Sequence, residues 1–370
     1  MNFLDVKKII LPDGEVEKIS NQNGVLLWKK PYIYGVSWAK SSTTTMTRTD
    51  DAKNFASPII GNGTTAGSSP FDNCYPWKEI KKVTNGNNTL VSIPKFWYKW
   101  TNTTSALKLQ IANYPAKGFH TSPLHADRGD GKGEREVAYI GRYKCANSTY
   151  YSKTNSELQV SMTRATARSK IAALGTGYYQ FDFSAFWTTR MLFLVEFATW
   201  DGVGVFNAGT RGSGTIAKTG GTDSMTYHTG VGTNGYSVQY RYMENLWHDT
   251  LEWCDGIYLS GSNVYCINNP TKFSDTTNGT LIATAPSTYG NISNWTIPTV
   301  SGYEYALFPK TTTTASGYVP DYIYTDIGVG TVIYIGGARN IMNQHGPFFM
   351  HCDFTASSTS SSISSRAIKL

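Results

Sequence analysis

The hydrophobic positions of this chain mostly alternate with polar ones over short stretches, and Gly, Asn, Ser and Thr separate these stretches. Such alternation predicts β-strands with one buried face, and the separating residues are typical of turns. The first thirty residues show the pattern three times, at residues 6–11, 16–19 and 25–28. Turn signals at Pro12-Asp13-Gly14 and Asn23-Gly24 join the three predicted strands.

The strand pattern also suggests how the chain is divided. A unit of three short strands buries little apolar surface by itself. We therefore predict that residues 1–30 form an N-terminal β module that docks either on the rest of the chain or on a partner protein. Residues 31–90 alternate aromatic patches with Thr-rich and Gly-rich loops and are predicted to be an irregular β/loop connecting region. Residues 91–370 are predicted to form one domain.

Two segments in the middle of the chain predict helices. Residues 163–174 consist of good helix formers and end before Gly175, a typical C-terminal signal. Asp182 is a typical N-cap for residues 183–200, which are apolar nearly all round and are therefore predicted to form a buried helix. Glu196 inside this helix needs a partner, because an unpaired buried carboxylate is costly.

The C-terminal stretch is apolar, then rich in Ser and Thr, then apolar again. Phe348-Phe349-Met350 precedes the Ser/Thr tract, and residues 367–370 close the chain. A terminal Ser/Thr tract is usually frayed, but apolar segments on both sides predict a tract that is held inside the fold. Further strands are predicted at residues 91–100, 263–267, 280–283 and 328–335.

Composition agrees with a protein rich in strands and loops. Aromatic residues make up 14% and charged residues 16% of the chain, which excludes a disordered protein and does not fit a helical bundle. The formal charge of +7 originates in the first 160 residues, where there are 21 Lys and Arg but only 13 Asp and Glu. These basic residues form no dense run, so nucleic-acid binding is not expected.

The cysteines and the lengths of the apolar runs indicate the cellular compartment in which the protein is assembled. Five cysteines at irregular spacing do not make a disulfide framework. No apolar run is long enough to span a bilayer, so membrane insertion is not expected. The N-terminus lacks the long apolar region of a secretory signal. Assembly in a reducing cytoplasm is therefore predicted.

Candidate chemistry is concentrated in residues 244–255. Glu244, Asp249, Glu252 and Asp255 lie close together, and paired carboxylates are used in glycoside hydrolysis. Here they alternate with Leu and Trp, which favours structural carboxylates that bond the backbone or Arg241. The histidines and cysteines lack zinc-site spacing, so each histidine is interpreted as a surface or internally bonded residue. No metal and no cofactor is predicted.

Five short motifs occur in a characteristic order. They are Tyr240-Arg241, Glu244-Asn245-Leu246-Trp247, Glu252-Trp253, Gly336-Gly337 and Ser365-Arg366. With two helices upstream, this order resembles the C-type-lectin fold in the version shared by formylglycine-generating enzymes and the variable receptor-binding proteins of phages. The resemblance implies an α+β fold in which residues 91–370 form a loop-rich C-type-lectin-like domain. It also implies that Trp247 and Trp253 form a core hairpin and that the Arg366 segment returns beside early strands.

The first thirty residues resemble the attachment segment of tail and baseplate proteins of phages that infect Gram-positive hosts. The resembling pieces are KKIILPDG at residues 7–14 and GVLLW at residues 24–28. This resemblance implies a virion protein of the tail tip or baseplate, assembled in the host cytoplasm. The implied partners are a host cell-surface receptor, either protein or glycan, and other tail or baseplate proteins that hold the N-terminal module. A homotrimer is implied as well.

The implied function is receptor binding by an adhesin without catalytic activity. In relatives that retroelements diversify, positions of the C-terminal segment vary on a constant backbone. The candidate ligand-binding positions here are Arg339, Ile341, Asn343, His345, Pro347, Phe349, His351, Asp353 and Phe354. Phe348 and Phe349 have an alternative interpretation as core residues.

Two alternative functions remain open. A structural tail-fibre or baseplate component would position other adhesins and bind no receptor. A relative of the formylglycine-generating enzymes would need a cysteine pair near Ile341 and Gly346, and neither position is Cys. Cys352 is the one thiol of that stretch, and the adjacent His351 is expected to face the opposite side of a strand. No catalytic residue is therefore predicted.

Overall fold

The computed structural model describes the chain apart from several short segments. These segments are residues 1–9, 12–13, 17, 21–25, 41–42, 209–215, 277, 316–317, 327–331 and 338–345. The fold is mostly β, with 36% of residues in strands and 12% in helices. The predicted α+β class with a C-type-lectin-like, formylglycine-generating-enzyme-like domain is therefore wrong. The reason is that the alternating stretches after residue 250 pair with one another into one large, nearly closed sheet.

The described residues form three α-helices and 27 strands. The helices are α1 (Arg164–Ala172), α2 (Phe183–Phe197) and α3 (Gly202–Phe206). The strands of the first half are β1 (Ile10–Leu11), β2 (Gly14–Glu15), β3 (Lys18–Ser20), β4 (Leu26–Lys29), β5 (Ile33–Trp38), β6 (Thr47–Asp50), β7 (Gly61–Asn62), β8 (Lys81–Asn85), β9 (Asn88–Pro94), β10 (Trp97–Asn102), β11 (Leu107–Ala112), β12 (His120–Thr121), β13 (Val137–Gly141) and β14 (Tyr178–Gln180). The strands of the second half are β15 (Gly230–Val231), β16 (Val238–Tyr240), β17 (Met243–Glu244), β18 (Leu251–Ser260), β19 (Asn263–Cys266), β20 (Thr280–Thr284), β21 (Gly290–Thr296), β22 (Phe308–Thr313), β23 (Val319–Thr325), β24 (Val332–Ile335), β25 (Met350–Phe354), β26 (Ile363–Ser364) and β27 (Ala367–Lys369). Helices α1 and α2 confirm the two predicted helical segments, whereas the short helix α3 was not predicted.

The N-terminal module contains two hairpins, and β3 and β4 overlap the strands predicted at residues 16–19 and 25–28. β1 pairs with β2 and β3 pairs with β4, and both pairs are antiparallel. Within the described residues, neither hairpin is hydrogen-bonded to another sheet. The predicted strand at residues 6–11 lies mostly outside the described residues.

Two five-stranded sheets join early strands to distant ones. Their strand orders are β12-β10-β11-β5-β6 and β14-β27-β13-β9-β8. The strand predicted at residues 91–100 is divided between β9 and β10, which belong to different sheets. Buried side chains between Tyr34 and Ile368 form one hydrophobic core. The predicted domain boundaries at residues 30 and 90 stay predictions, although residues 33–93 contribute to this common core.

A larger sheet contains most strands of the C-terminal half. Its main order is β20-β19-β18-β24-β25-β23-β21-β22, and β26 pairs with β18. The edge strands β20 and β22 approach each other, so the sheet nearly closes. On this path β23 and β25 run parallel, and the other neighbouring strands are antiparallel. β19 and β20 confirm the strands predicted at residues 263–267 and 280–283.

Helix α2 is buried over its whole length and packs against β5, β11 and β18. Asp182 caps it as predicted, because Oδ1 accepts a hydrogen bond of 2.8 Å from the N–H of Ala185. Glu196 has the partner that the sequence requires. Its Oε2 accepts hydrogen bonds of 3.0 Å from the Nε of Arg241 and from the hydroxyl of Tyr240. Arg241 is thereby engaged with α2 and not with the acidic cluster that follows it in the sequence.

The C-terminus returns to the interior, as predicted. β27 lies between β13 and β14, and Arg366 directly before it is fully buried. The guanidinium donates to the carbonyl oxygens of Gly141 and Glu244, both at 2.8 Å, and to Oε1 of Glu252 at 2.9 Å. One side chain therefore connects the terminal strand to three distant segments of the chain.

The Ser/Thr tract before this strand is hydrogen-bonded to the rest of the fold. The carbonyl oxygen of Ser360 accepts from the N–H of Ser161 at 2.9 Å. The carbonyl oxygen of Ser362 accepts from the N–H of Leu251 at 3.1 Å. The tract is therefore attached to the fold, as predicted, but it lies at the surface, because Ser357, Thr359 and Ser361 are exposed.

Replacement of Arg366 by Met is expected to lower the free energy of unfolding by about 3 kcal/mol, because Glu252 and several buried carbonyl groups lose their donor. Urea denaturation followed by circular dichroism measures this change. The control is Lys369→Met at a partly exposed position of β27, which is expected to cost less than about 1 kcal/mol. Equal effects of the two substitutions would contradict the role assigned to Arg366.

Candidate functional site

The described part of the candidate site lies on the outer face of the large sheet, where β23, β25 and β24 run side by side. Tyr324 is paired with His351, and His351 is paired with Tyr334, so these residues form one row across three strands. Alternation along β25 turns Met350 and Cys352 into the core and leaves His351 on the outer face. The prediction that His351 and Cys352 face opposite sides is therefore confirmed.

Tyr334, His351 and Asp353 form a polar cluster on this face. The Tyr334 hydroxyl donates to Oδ1 of Asp353 at 2.9 Å and also contacts Nδ1 of His351. Nε2 of His351 lies 3.1 Å from Oδ2 of Asp353. Burial alone raises the pKa of Asp353, but the hydrogen bonds and charge of His351 and the Tyr334 hydroxyl outweigh it and lower that pKa. The Asp353 carboxylate is therefore held ionised and in a fixed position.

The polar cluster is partly open to solvent. The exposed fraction of the side chain is 21% for His351 and 34% for Asp353. The imidazole lies against aromatic rings, with centroid distances of 4.7 Å to Tyr324 and 5.8 Å to Phe349. Phe354 is half-buried, and its ring centroid lies 5.1 Å from that of Tyr334. A few polar groups in fixed positions, surrounded by aromatic side chains, are typical of ligand-binding sites.

The nine candidate positions fall into three groups. Outside the described residues lie Arg339, Ile341, Asn343 and His345. Two side chains are buried, those of Pro347 and Phe349, and three are partly exposed, those of His351, Asp353 and Phe354. The burial of Phe348 and Phe349 supports their alternative interpretation as core residues. Ligand contact at the nine positions stays a prediction.

Two buried charged side chains fix the backbone that follows residues 338–345. Arg190 on α2 donates from Nε to the carbonyl oxygen of Pro347 at 2.8 Å. Asp321 on β23 accepts at Oδ2 from the N–H of Phe348 at 2.7 Å. The C-terminal end of the candidate segment is thus attached to the core by side chains from two distant elements.

A glycine fixes the backbone that precedes the same segment. Gly336 has a φ of +83°, and a Cβ at this position would lie 3.3 Å from the Cα of Trp247. Glycine suits this position, because it combines a positive φ with a close approach of two backbones. Trp247 is buried, with its ring centroid 5.2 Å from that of Phe193 on α2. Both ends of residues 338–345 are therefore supported by α2 and its neighbours.

The acidic cluster at residues 244–255 has the structural role that the sequence favours. Glu244 accepts a hydrogen bond of 2.8 Å from the N–H of Thr222. Oδ2 of Asp255 accepts one of 2.6 Å from Nε of Arg168. Glu252 is bonded by the C-terminal arginine described above. These three carboxylates are buried and satisfied by backbone or arginine donors, which does not suit a paired acid and base.

The interpretation of each histidine as a surface or internally hydrogen-bonded residue is confirmed for His125, which is buried and hydrogen-bonded at both ring nitrogens. Nε2 lies 2.9 Å from the carbonyl oxygen of Ile93, and Nδ1 lies 2.7 Å from the hydroxyl of Ser122. Burial lowers the pKa of His125 to about 4. The interpretation is wrong for His248, which is buried with neither ring nitrogen hydrogen-bonded. Within the residues that the structure describes, no group of three or more His, Cys, Asp and Glu side chains is arranged to hold a metal ion.

The tyrosines of the outer face are not among the candidate residues predicted from the sequence. Tyr322 and Tyr324 on β23 and Tyr334 on β24 lie on this face, and Tyr289 packs on it from the residue before β21. A signal was present, because Tyr322 and Tyr324 stand two residues apart and alternate with buried side chains.

No protein-family model and no curated protein matches this chain. In the described part of the chain, none of the helices has the length and apolarity that a membrane crossing requires. The geometry of the outer face is therefore the basis for the functional proposal.

The variant Asp321→Asn is expected to gain stability relative to the wild type as the pH rises from about 4 to about 7. Burial raises the pKa of Asp321 well above its usual value, although the hydrogen bond from the Phe348 N–H favours the ionised form. The folded wild type then binds more protons than the unfolded chain in this window, so its stability falls as the pH rises. Asn keeps an acceptor for the Phe348 N–H and does not titrate.

Urea denaturation of both proteins at the two pH values measures the difference in free energy of unfolding. Asp127→Asn, which removes a carboxylate at an exposed position, is the control. A difference for Asp321→Asn that is the same at both pH values would contradict the expected titration.

Proposed function

We propose that this protein recognises the surface of a bacterial host and acts as a receptor-binding component of a phage tail tip or baseplate. The observation that carries the proposal is the partly exposed polar cluster of Tyr334, His351 and Asp353 on the outer face of the large sheet. The receptor is a cell-surface protein or glycan. The role is binding, without a chemical step.

Rigidity of the polar cluster supports a binding role. Each of its three side chains is bonded to another member, so little side-chain freedom remains to be lost when a ligand is bound. The core residues behind it, Met350 and Cys352, are fully buried and give the strand a fixed position. Preorganised polar groups of this kind contribute to affinity mainly by lowering the entropic cost of binding.

The proposed assembly places the N-terminal module in contact with other tail or baseplate proteins. Within the described residues, its two hairpins are not hydrogen-bonded to the remaining sheets. The edges of these hairpins can therefore pair with strands of a neighbouring protein. A homotrimer is part of the proposal. Several weak sites on one particle give strong attachment, because the second contact forms at a high effective concentration.

Labelled protein is expected to bind saturably to whole cells of at least one strain in a panel of Gram-positive bacteria. Joint replacement of His351 and Asp353 by Ala should weaken this binding at least about tenfold, because the fixed hydrogen-bonding pair is lost. Flow cytometry over a protein concentration series measures the apparent Kd. The matched control replaces His120 and Glu304 by Ala, a second histidine–carboxylate pair whose Nδ1 and Oε2 lie 3.8 Å apart.

Equal binding by both double variants would place the recognition surface elsewhere. If no strain retains the wild type while the chain still associates with purified tail proteins, the alternative of a structural tail-fibre or baseplate component is correct. Near-ultraviolet circular dichroism verifies that each variant is folded.

A further inference from the structure

The outer face of the large sheet continues from the polar cluster across β23, β21 and β22. Pairing of Asn291 with both Tyr322 and Thr313 places these residues on one face. The outward positions on these strands are Asn291, Ser293, Thr311, Thr313, Tyr322 and Tyr324. All six side chains are neutral, and each carries a hydroxyl or an amide.

Three tyrosines form a continuous aromatic surface on this face. The rings of Tyr322 and Tyr324 have centroids 5.6 Å apart. Tyr289 stacks on Tyr324 with centroids 5.6 Å apart and an angle of 11° between the ring planes. At that separation the two parallel rings are offset. Tyr289 is 66% exposed, the highest value among the large hydrophobic residues described.

The chain that carries Tyr289 is held in place from both sides. The Thr312 hydroxyl donates to the carbonyl oxygen of Thr288 at 3.0 Å, and the Thr325 hydroxyl donates to that of Pro286 at 2.9 Å. Gly290 follows with a φ of +151°, and a Cβ there would lie 2.8 Å from the carbonyl oxygen of Thr313. The exposed ring is therefore positioned by the fold and is not at the tip of a loose loop.

We propose that Tyr289, Tyr322 and Tyr324, the tyrosine platform, bind a neutral glycan by stacking against the apolar face of a sugar ring. This inference rests on the proposed function and names the chemical class of the receptor. The C–H groups on one face of a pyranose carry partial positive charge and are attracted to the negative face of an aromatic ring. Its hydroxyl groups lie at the ring edge, where Asn291 and the neighbouring hydroxyl side chains offer donors and acceptors.

The charge of the surface favours a neutral glycan over the other ligands. An anionic glycan or a phosphate would require Arg or Lys to pair with it. None of these six positions carries one, and the exposed cation of β22 is Lys310, which precedes Thr311. A single exposed aromatic residue is ordinary on a protein surface. Here, however, the exposed ring of Tyr289 stacks on Tyr324 and so continues the surface that Tyr322 and Tyr324 form. The hydrogen bonds described above fix the backbone that precedes Tyr289.

Affinity electrophoresis tests the platform directly. The probes are gels that contain glycol chitin, hydroxyethyl cellulose, yeast mannan or protein-free wall polysaccharide from Gram-positive cells. The wild type is expected to be retarded by at least one of them. Tyr289→Ala and Tyr322→Ala should each raise the dissociation constant about tenfold, whereas Tyr289→Phe should retain most of the retardation, because its ring is kept.

The control is Tyr236→Ala, which removes another exposed tyrosine in the turn between β15 and β16, in a different sheet. Tyr289 is the decisive position, because its exposure means that its removal is expected to change stability little. Lack of retardation in all four gels, or retardation that Tyr289→Ala and Tyr322→Ala leave unchanged, would overturn the platform.

Binding of the protein to cells treated with periodate or with protease distinguishes glycan binding by the tyrosine platform from the proposed receptor-binding function. Binding that periodate oxidation of cell glycans removes and protease treatment spares supports the platform. Cell binding that protease removes and periodate spares leaves receptor recognition standing and overturns the glycan platform. Retardation in the gels without binding to any cell keeps the platform and rejects host-surface recognition.

Discussion

Arg366 carries a positive charge into an interior without solvent, where its guanidinium meets the Glu252 carboxylate and carbonyl oxygens of residues 141–142 and 244–245. Transfer of a charge out of water costs several kcal/mol, and only a complete set of partners offsets it. Those partners come from β13, β17 and β18 and from the residues that directly follow β13 and β17, so the set exists only when three sheets are assembled. The terminal strand β27 therefore joins a five-stranded sheet to the large sheet, and Arg366 is the contact that makes this joint specific.

The same physical constraint recurs around helix α2. Its aromatic surface is covered on all sides, and Arg190 and Glu196 are the charged groups that it carries inward. Glu196 is paired with Arg241, whereas Arg190 donates to the main chain at Pro347. Asp321 holds the next N–H in the same way. The buried side chains of Arg190 and Asp321 thus form hydrogen bonds with the main chain of Pro347 and Phe348. These bonds attach the backbone that follows residues 338–345 to the core.

Alternate side chains along β25 have different roles, because one set packs in the core and the other set lies on the proposed recognition surface. Met350 and Cys352 point into the core, while His351 and Asp353 point outward from the same strand. On the outer face, hydrogen-bonding side chains and tyrosine rings are fixed by neighbours on three or more strands. A ligand that binds there meets a surface that is already ordered, which limits the entropic cost of association.

Local patterns in the sequence determined what depends on neighbouring residues: helices α1 and α2, the cap at Asp182, and the opposite orientation of His351 and Cys352. These follow from periodicity and capping, which act over a few residues. The sequence did not determine how the strands pair into sheets, which arginine Glu252 or Asp255 pairs with, or the contact of Tyr289 with Tyr324. Strand order and buried ion pairs join positions far apart in the chain, so only the tertiary structure decides which of the many compatible partners come into contact.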